Sequence, residues 1–216
     1  MTMSSYDVTD RTRVRRIPER ASYDREVVHA ILDEAIVCHV GVVVDGLPRV
    51  IPTALLRIDE AVYIHGSANS QLLKSLAEGA SACITVSHVD AIVASRSGFN
   101  CAVDYRAVVI FGSATVVEEE AEKERVLNAL IQHLVPGHVT RAAKAKELGA
   151  TMMLRFPLVE VSAKVRSAGV KEFEEDYELD LWAGVIPLRQ QAGAPKDCPR
   201  LKPGIQTPAY AARVRN

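Results

Sequence analysis

The chain has 216 residues, of which 48% are hydrophobic, 25% charged and 5% aromatic, and 26 basic against 27 acidic residues give a formal charge of −1 at pH 7. These values predict one medium-sized soluble domain with an aliphatic core. They exclude the global basic field that non-specific nucleic-acid binding requires.

The cysteines and the N-terminus bear on the cellular compartment. No CxxC pair or other ligand spacing occurs, so neither a disulfide framework nor a zinc site is predicted. The first 20 residues lack the apolar core of a signal peptide, and no stretch reaches the about 20 apolar residues of a membrane span. We therefore expect a cytoplasmic protein that has neither a membrane nor a nucleic acid as partner. The cysteines are Cys38, Cys83, Cys101 and Cys198.

The composition divides the chain into three segments. Residues 1–21 are rich in arginine with little to bury, which predicts a basic arm that is solvated, wraps a partner subunit or reaches an anionic ligand. Residues 22–188 form the predicted folded domain. Residues 189–216 contain four prolines and are predicted to be an extended or disordered tail. The arginines of the arm are Arg11, Arg13, Arg15, Arg16 and Arg20.

Apolar periodicity and turn residues predict the secondary structure in chain order. The predicted helices cover 25–34, 70–79, 119–135 and a weaker 140–149. The predicted strands cover 36–44, 47–58, 61–66, 82–95, 105–118 and 151–166. Asp45-Gly46 is a strong hairpin signal, and Pro52 requires an edge or a bulge in the second strand. Turns of hairpin length predict a mainly β (α+β) fold, a small antiparallel barrel of six strands with peripheral helices.

The segment 63–74 is the most informative stretch for function. A strand ends in His65 and small residues, and a helix begins two or three residues later. The hydroxyls of Ser67 and Ser70, the helix N-terminus and Lys74 predict either an ordinary capped helix or a phosphate site. The sequence contains no GxGxxG after a strand, no Walker loop, no GxSxG and no HExxH.

Two longer stretches resemble a known family. VCHVGVVVDGLPRVIPTALLRIDEAVYIHGSANSQLLKSL (37–76) and DYRAVVIFGSATVVEEEAEKERVLNAL (104–130) are similar to the pyridoxamine 5′-phosphate oxidase-like superfamily. Within it, the chain is most similar to the flavin-nucleotide-binding branch that includes the Nim-type nitroimidazole-resistance proteins. The resemblance runs from about residue 20 to residue 188. It implies an FMN-binding split barrel, usually a homodimer with two flavin sites at the subunit interface.

The resemblance also implies which residues bind the flavin. The ring would lie along the second strand, the phosphate would sit at the strand-to-helix segment, and Trp182 in WAGVIPL would approach the flavin. The ring residues are Pro52, Thr53, Ala54 and Leu55, and the phosphate residues are His65, Gly66, Ser67, Asn69, Ser70 and Lys74. Family members often have basic residues where this chain has Gln71 and Leu72, so Lys74, Arg57 or an arginine of the arm would have to bind the phosphate.

His65 and two arginines are the remaining candidates. His65 could donate to a phosphate or flavin oxygen or act in proton transfer as a catalytic residue, or it could be structural. Arg96 and Arg106 could contact an anionic ligand or the pyrimidine edge of the flavin, or form surface ion pairs with Asp90 or Asp104. No histidine pair has metal-ligand spacing, and haem ligation by a lone histidine is a possibility only at the level of the family.

The sequence therefore predicts a homodimeric FMN flavoprotein with two-electron redox chemistry on a small aromatic or nitro-substituted molecule. The residues that bind substrate after the tryptophan in true pyridoxamine-phosphate oxidases have no match, so that reaction is not expected. Two alternatives remain: haem or a deazaflavin on the same barrel, or a cofactor-binding module without turnover.

Overall fold

The structure is a computed structural model that describes residues 4–213. The described strands are β1 Ala21–Ser22, β2 Val37–Val44, β3 Leu47–Ala54, β4 Leu56–Ile58, β5 Ala61–Ser67, β6 Ala82–Ala94, β7 Ala102–Gly112, β8 Thr115–Val116, β9 Thr151–Pro157, β10 Glu160–Arg166 and β11 Gly184–Pro187. The described α-helices are α1 Arg25–Glu34, α2 Gln71–Ala77, α3 Glu120–Leu134 and α4 Ala145–Ala150.

The strands form two antiparallel sheets that enclose one core. The first has the order β1-β10-β7-β6-β2-β3, with β11 also paired to β6, and the second has the order β4-β5-β9-β8. Alternate side chains of both sheets meet between them, and Val28, Ile31 and Leu32 of α1 join this core. Val126 and Leu130 of α3 pack on the other side of the second sheet against Tyr63 and Met153. This confirms the predicted mainly β antiparallel barrel with peripheral helices.

The two local turn signals act as predicted. Asp45 and Gly46 connect β2 to β3 with φ of +53° and +75°, the left-handed conformations that a two-residue hairpin turn requires. β3 pairs with β2 alone, so Pro52 lies in an edge strand, where its missing N–H costs no ladder hydrogen bond.

The described residues contain eleven strands where six were predicted, because three predicted strands are divided and β1 and β11 are added. The predicted strand 47–58 crosses between sheets at Leu55, whose N–H donates to the carbonyl of Ile36 (3.1 Å). The predicted strand 151–166 crosses at Leu158, whose N–H donates to the carbonyl of Glu60 (2.9 Å). Both leucines are buried, so the corners of the barrel contribute to its core.

The described part of the predicted basic arm packs against the barrel. Tyr6 is 4% exposed, and its hydroxyl contacts Nε2 of His29 (2.9 Å) and Oε2 of Glu60 (3.1 Å). Lys164 of β10 donates to the carbonyl of Arg16 (2.9 Å). The segment therefore covers the β10 side of the first sheet. The first three residues of the predicted arm lie outside the described part of the chain.

The chain after β11 is exposed and contains no helix or strand from residue 189 until a short 3₁₀ turn at Ala209–Arg213. There the hydroxyl of Tyr210 contacts Nδ1 of His138 (2.8 Å) after α3. Residues 214–216 of the predicted tail lie outside the described part. Among residues 4–213, no helix combines the length and hydropathy that crossing a bilayer requires.

Candidate cofactor site

The structure brings together the ends of two predicted site segments. Ala54 at the end of β3 and His65 near the end of β5 line one small pocket, together with Tyr63 and Met153. β5 alternates, so Val62 and Ile64 enter the main core while Tyr63 lies on the α3 side. The His65 imidazole therefore lies at the edge of an apolar layer between β5 and α3.

His65 differs from most histidines of the chain. It is half-buried, and its imidazole has no hydrogen-bond partner among the described residues. Burial lowers its pKa, because desolvation penalises the charged imidazolium, and the ring is therefore neutral at pH 7. His88 and His133, by contrast, place Nε2 3.0 and 2.7 Å from the carbonyls of Ile31 and Ala35. A neutral, unpartnered imidazole can accept a proton or bind a metal.

The predicted phosphate segment uses its hydroxyls locally. Ser67 Oγ accepts from the N–H of Asn69 (3.2 Å), and Ser70 Oγ caps α2 by accepting from the N–H of Leu73 (3.4 Å). Gly66 lies against α2, because a β-carbon there would come within 3.1 Å of Cδ1 of Leu73. This geometry is that of an ordinary capped helix closely packed on the end of a strand.

Lys74 and Arg57, two of the residues proposed to bind the phosphate, differ in whether their charge is already paired within the chain. Lys74 is exposed and forms no ion pair among the described residues. Arg57 donates two hydrogen bonds to the carboxylate of Asp33 (2.7 and 2.6 Å). Lys74 is therefore the cation next to the strand-to-helix segment that is still available to a ligand.

The predicted ring-binding residues fall into two groups. Pro52 is exposed, and Thr53 and Ala54 are half-buried, so all three can be reached from the edge of the sheet. Leu55 has no exposed surface, since it lies at the corner where the chain enters the core. The Leu55 side chain therefore faces the core, so a cofactor along β3 could meet this residue only through its backbone, and the predicted contact stays a prediction.

The outer face of β2 and β3 is apolar and exposed. Val37, His39 and Val43 alternate with buried residues of β2, and their register places Pro52 opposite His39 and Val50 opposite Gly41. The N-terminal segment covers the β10 side of this sheet but leaves these strands uncovered. Exposed contiguous apolar faces of this kind are typical of interaction surfaces.

Arg96 and Trp182 do not join the β3–β5 site within one chain. Pro52 is opposite His39, which is opposite Thr85 of β6. Trp182 lies over Gly184, the partner of Ala94 in β6. Nine residues separate Thr85 from Ala94, a distance of roughly 30 Å along a strand at about 3.3 Å per residue. Trp182 is 68% exposed at that far end.

Both candidate arginines form ion pairs in the chain. Arg106 donates to Asp90 (2.9 and 2.7 Å) and to Glu34 (2.5 and 3.0 Å), and these hydrogen bonds lower the pKa of both carboxyl groups. Arg96 pairs with Glu172, which sequence reasoning did not single out. The pair joins positions 76 residues apart, so no local pattern could have indicated it.

β6 pairs with β2 at residues 82–85 and with β11 at residues 91–94. A cleft of about 880 Å³ lies along the edge of β6 between these two paired stretches. Leu188 closes one end by donating its N–H to the carbonyl of Asp90 (2.8 Å). The lining is polar and apolar in about equal parts and includes Ser87, His88, Asp90, Arg106, His133 and residues 188–192. Its size is that of a small-molecule site.

The remaining potential ligands are scattered. Cys38 is buried, which raises the pKa of its thiol to about 12, so it is unreactive at neutral pH. Within residues 4–213, no group of three or more His, Cys, Asp or Glu side chains could hold a metal ion. A metal at His65 would therefore need most of its ligands from a prosthetic group.

Comparisons with known proteins place this geometry in context. A family model described as pyridoxamine 5′-phosphate oxidase matches residues 24–165. The flavocytochrome Anf3 from Azotobacter vinelandii is 38% identical, with a TM-score of 0.90 over 96% of this chain and 97% of that one. An FAD- and haem-binding protein from Mycobacterium smegmatis is 34% identical, with a TM-score of 0.86 over 91% and 97%.

A candidate 5-nitroimidazole antibiotic resistance protein from Bacteroides thetaiotaomicron is similar in fold alone. It is 18% identical, with a TM-score of 0.58 over 67% of this chain and 86% of that one. No protein of curated function matches the chain in sequence.

Proposed function

Because the chain belongs to the pyridoxamine 5′-phosphate oxidase family, we propose that it is a redox protein that binds FAD and haem. The observation that carries this proposal is the similarity to two proteins over nearly their whole length, one a flavocytochrome and the other an FAD- and haem-binding protein. They favour FAD over the FMN expected from the sequence, and a module that binds both cofactors over a nitro-compound reductase. The likeness to the resistance protein, at 18% identity, concerns the fold only.

The flavin would lie on the edge strand and the strand-to-helix segment. Pro52, Thr53 and Ala54 are accessible along β3, and Ala54 shares a pocket with His65. The backbone and hydroxyls at Gly66, Ser67, Asn69 and Ser70, with Lys74 as the nearby available cation, would hold the phosphate end. The edge position supports this placement, because β3 has no strand beyond it.

His65 would hold the haem iron. Its imidazole is neutral, half-buried and unpartnered. The pocket that it shares with Met153 and Leu130 has a volume of only about 10 Å³, so a porphyrin would have to lie against the exposed side of the ring, outside this pocket. When bound, the flavin supplies hydride chemistry and the haem one-electron chemistry. The chain's own contribution is to position the two groups next to each other and to leave an imidazole nitrogen available for the iron. His65 was expected as a catalytic or structural residue, and we propose iron ligation as its role instead of proton transfer.

A homodimer would complete the site. Arg96 and Trp182 are roughly 30 Å along the sheet from Pro52, so they could approach a flavin only in another copy. The exposed apolar outer face of β2 and β3 supports the pairing of two copies, since contact of this apolar surface with water is unfavourable and a second copy would bury it. The cleft beside β6 is then the candidate site for a small-molecule substrate.

The test is titration of the purified protein with haem and with FAD, in the wild type and in His65→Ala. We expect a Soret band and flavin binding in the wild type, and at least a tenfold loss of haem affinity in the variant. His138→Ala is the matched control, because His138 is an exposed histidine after α3 whose ring hydrogen-bonds only to the hydroxyl of Tyr210 among the described residues, away from the proposed site. Absence of haem binding, or equal binding in His65→Ala, would contradict the proposal.

A further inference from the structure

An aromatic corner lies at the far end of the first sheet. We use this name for loop residues 95–101 together with segment 172–182. Phe99 is 84% exposed and stacks on Phe173, with ring centroids 6.2 Å apart and planes at 26°. Tyr177 lies against the guanidinium of Arg96, with 5.5 Å from Cζ to the ring centroid. In a chain with 5% aromatic residues, this concentration of exposed rings is unusual.

Polar atoms without partners accompany these rings. Within residues 4–213, five buried side-chain polar atoms lack a hydrogen-bond partner, and four belong to this corner. They are Nε of Arg96, Nδ2 of Asn100, Oε2 of Glu172 and Oδ2 of Asp176. The Glu172 side chain is 0% exposed, although its Oε1 accepts from the N–H of Arg96 (2.7 Å). Leaving such atoms unpaired costs free energy, and because the atoms are buried, a bound group can recover it only when the loop or the segment 172–182 moves to admit it.

The chemistry of these atoms narrows the choice of ligand. Two are donors and two are carboxylate acceptors, so the ligand must offer hydroxyl or amino donors as well as acceptors. Residues 172–180 contribute six carboxylates to the corner against the single cation Arg96, a formal charge of −5, which disfavours a phosphate group at the same place. The exposed rings favour a flat aromatic ligand. A nucleoside, with its base and ribose hydroxyls, meets all three conditions.

We propose that the aromatic corner binds the adenosine half of an FAD whose flavin lies on the barrel of a second copy. This rests on the proposed function and deepens it, because it explains how the protein would select FAD over FMN. Trp182, the last residue of the corner, lies over Gly184, and Gly184 pairs with Ala94, two residues before Arg96. The phosphate end of the FAD stays at the strand-to-helix segment, away from the acidic side chains of the corner.

The test compares FAD, FMN and adenosine on the cofactor-free full chain. Wild type is expected to bind FAD at least tenfold more tightly than FMN, and adenosine should compete with FAD. The double variant Phe99→Ala/Phe173→Ala removes two exposed rings and is expected to lower FAD affinity at least tenfold, while FMN affinity stays within twofold. Val139→Ala, an equally exposed residue outside the corner, is the control and should change neither affinity.

Three results would overturn the proposal. The first is equal affinity of the wild type for FAD and FMN, and the second is an equal loss of both in the double variant. The third is dissociation of the double variant into monomers, seen by sedimentation, while the preference for FAD persists, which would assign the rings to a subunit contact. A wild type that binds neither flavin would overturn the proposed function as well, whereas binding without preference overturns only the role of the corner.

Discussion

The buried ion pair between Asp104 and Arg166 gives a quantitative prediction about the first sheet. Asp104 near the start of β7 is 8% exposed, and Arg166 at the end of β10 is 7% exposed. Arg166 donates through Nη1 to Asp104 and through Nη2 to the carbonyl of Gly169 (3.3 Å). The ion pair therefore connects the adjacent strands β7 and β10 at the point where the chain leaves β10 toward the aromatic corner.

Arg166→Met keeps the aliphatic volume but leaves the Asp104 carboxylate buried without its cation. Breaking one partner of such a pair costs about 3–5 kcal/mol of unfolding free energy. For a chain of this size each kcal/mol lowers Tm by about 2–4 °C, so we expect a fall of roughly 6–20 °C. Replacing both partners in Asp104→Asn/Arg166→Met removes the isolated charge and should recover most of the loss.

The assay is thermal and urea denaturation of the cofactor-free protein at pH 7, for the wild type and the single and double variants. If Arg166→Met has the same Tm as the wild type, the reasoning is refuted, because the Asp104 carboxylate would then be hydrated or paired with another group. A double variant no more stable than the single would refute it too, since the cost would not come from the isolated charge.

Three further predictions follow from the structure. Gly184→Ala places a β-carbon 2.6 Å from Cζ2 of Trp182, so the ring must move; the emission of this sole tryptophan should shift, and an unchanged spectrum would argue against the contact. Val50→Asp puts a charge on the exposed outer face and should convert a dimer into monomers in sedimentation, whereas a persisting dimer would locate the interface elsewhere. Arg106 lowers the pKa of two carboxyl groups, so its pairs stabilise above about pH 4.5 and are lost as pH falls through the lowered values. Arg106→Gln should therefore lose about 1 kcal/mol or less at pH 7, because the pairs are partly exposed, and should lose less between pH 5 and 3 than the wild type; parallel acid curves would contradict this.

Local chemistry made part of the fold predictable. Asp45-Gly46 can adopt positive φ more readily than other pairs, and Pro52 cannot donate to a ladder, so the hairpin and the edge strand could be predicted from three residues. The crossings at Leu55 and Leu158 could not, because apolar alternation continues through both and only the packing of two sheets bends the chain there.

The site shows the same division. The proximity of Ala54 and His65 follows from the family resemblance, which aligns whole strands. The separation of Trp182 from Pro52 depends on the pairing of β11 with the far end of β6. The pair of Arg96 with Glu172 joins the loop after β6 to a residue 76 positions later in the chain. Neither β11 nor Glu172 lies in a local sequence pattern that specifies its partner, so neither contact could be predicted from the sequence.

The absorbance spectrum of the purified protein, together with chromatography of the released flavin, tests the central claim most directly. We predict oxidised-flavin bands and a Soret band in the same sample, with the extracted flavin eluting as FAD. A colourless protein that acquires neither spectrum on addition of FAD and haem would contradict the account.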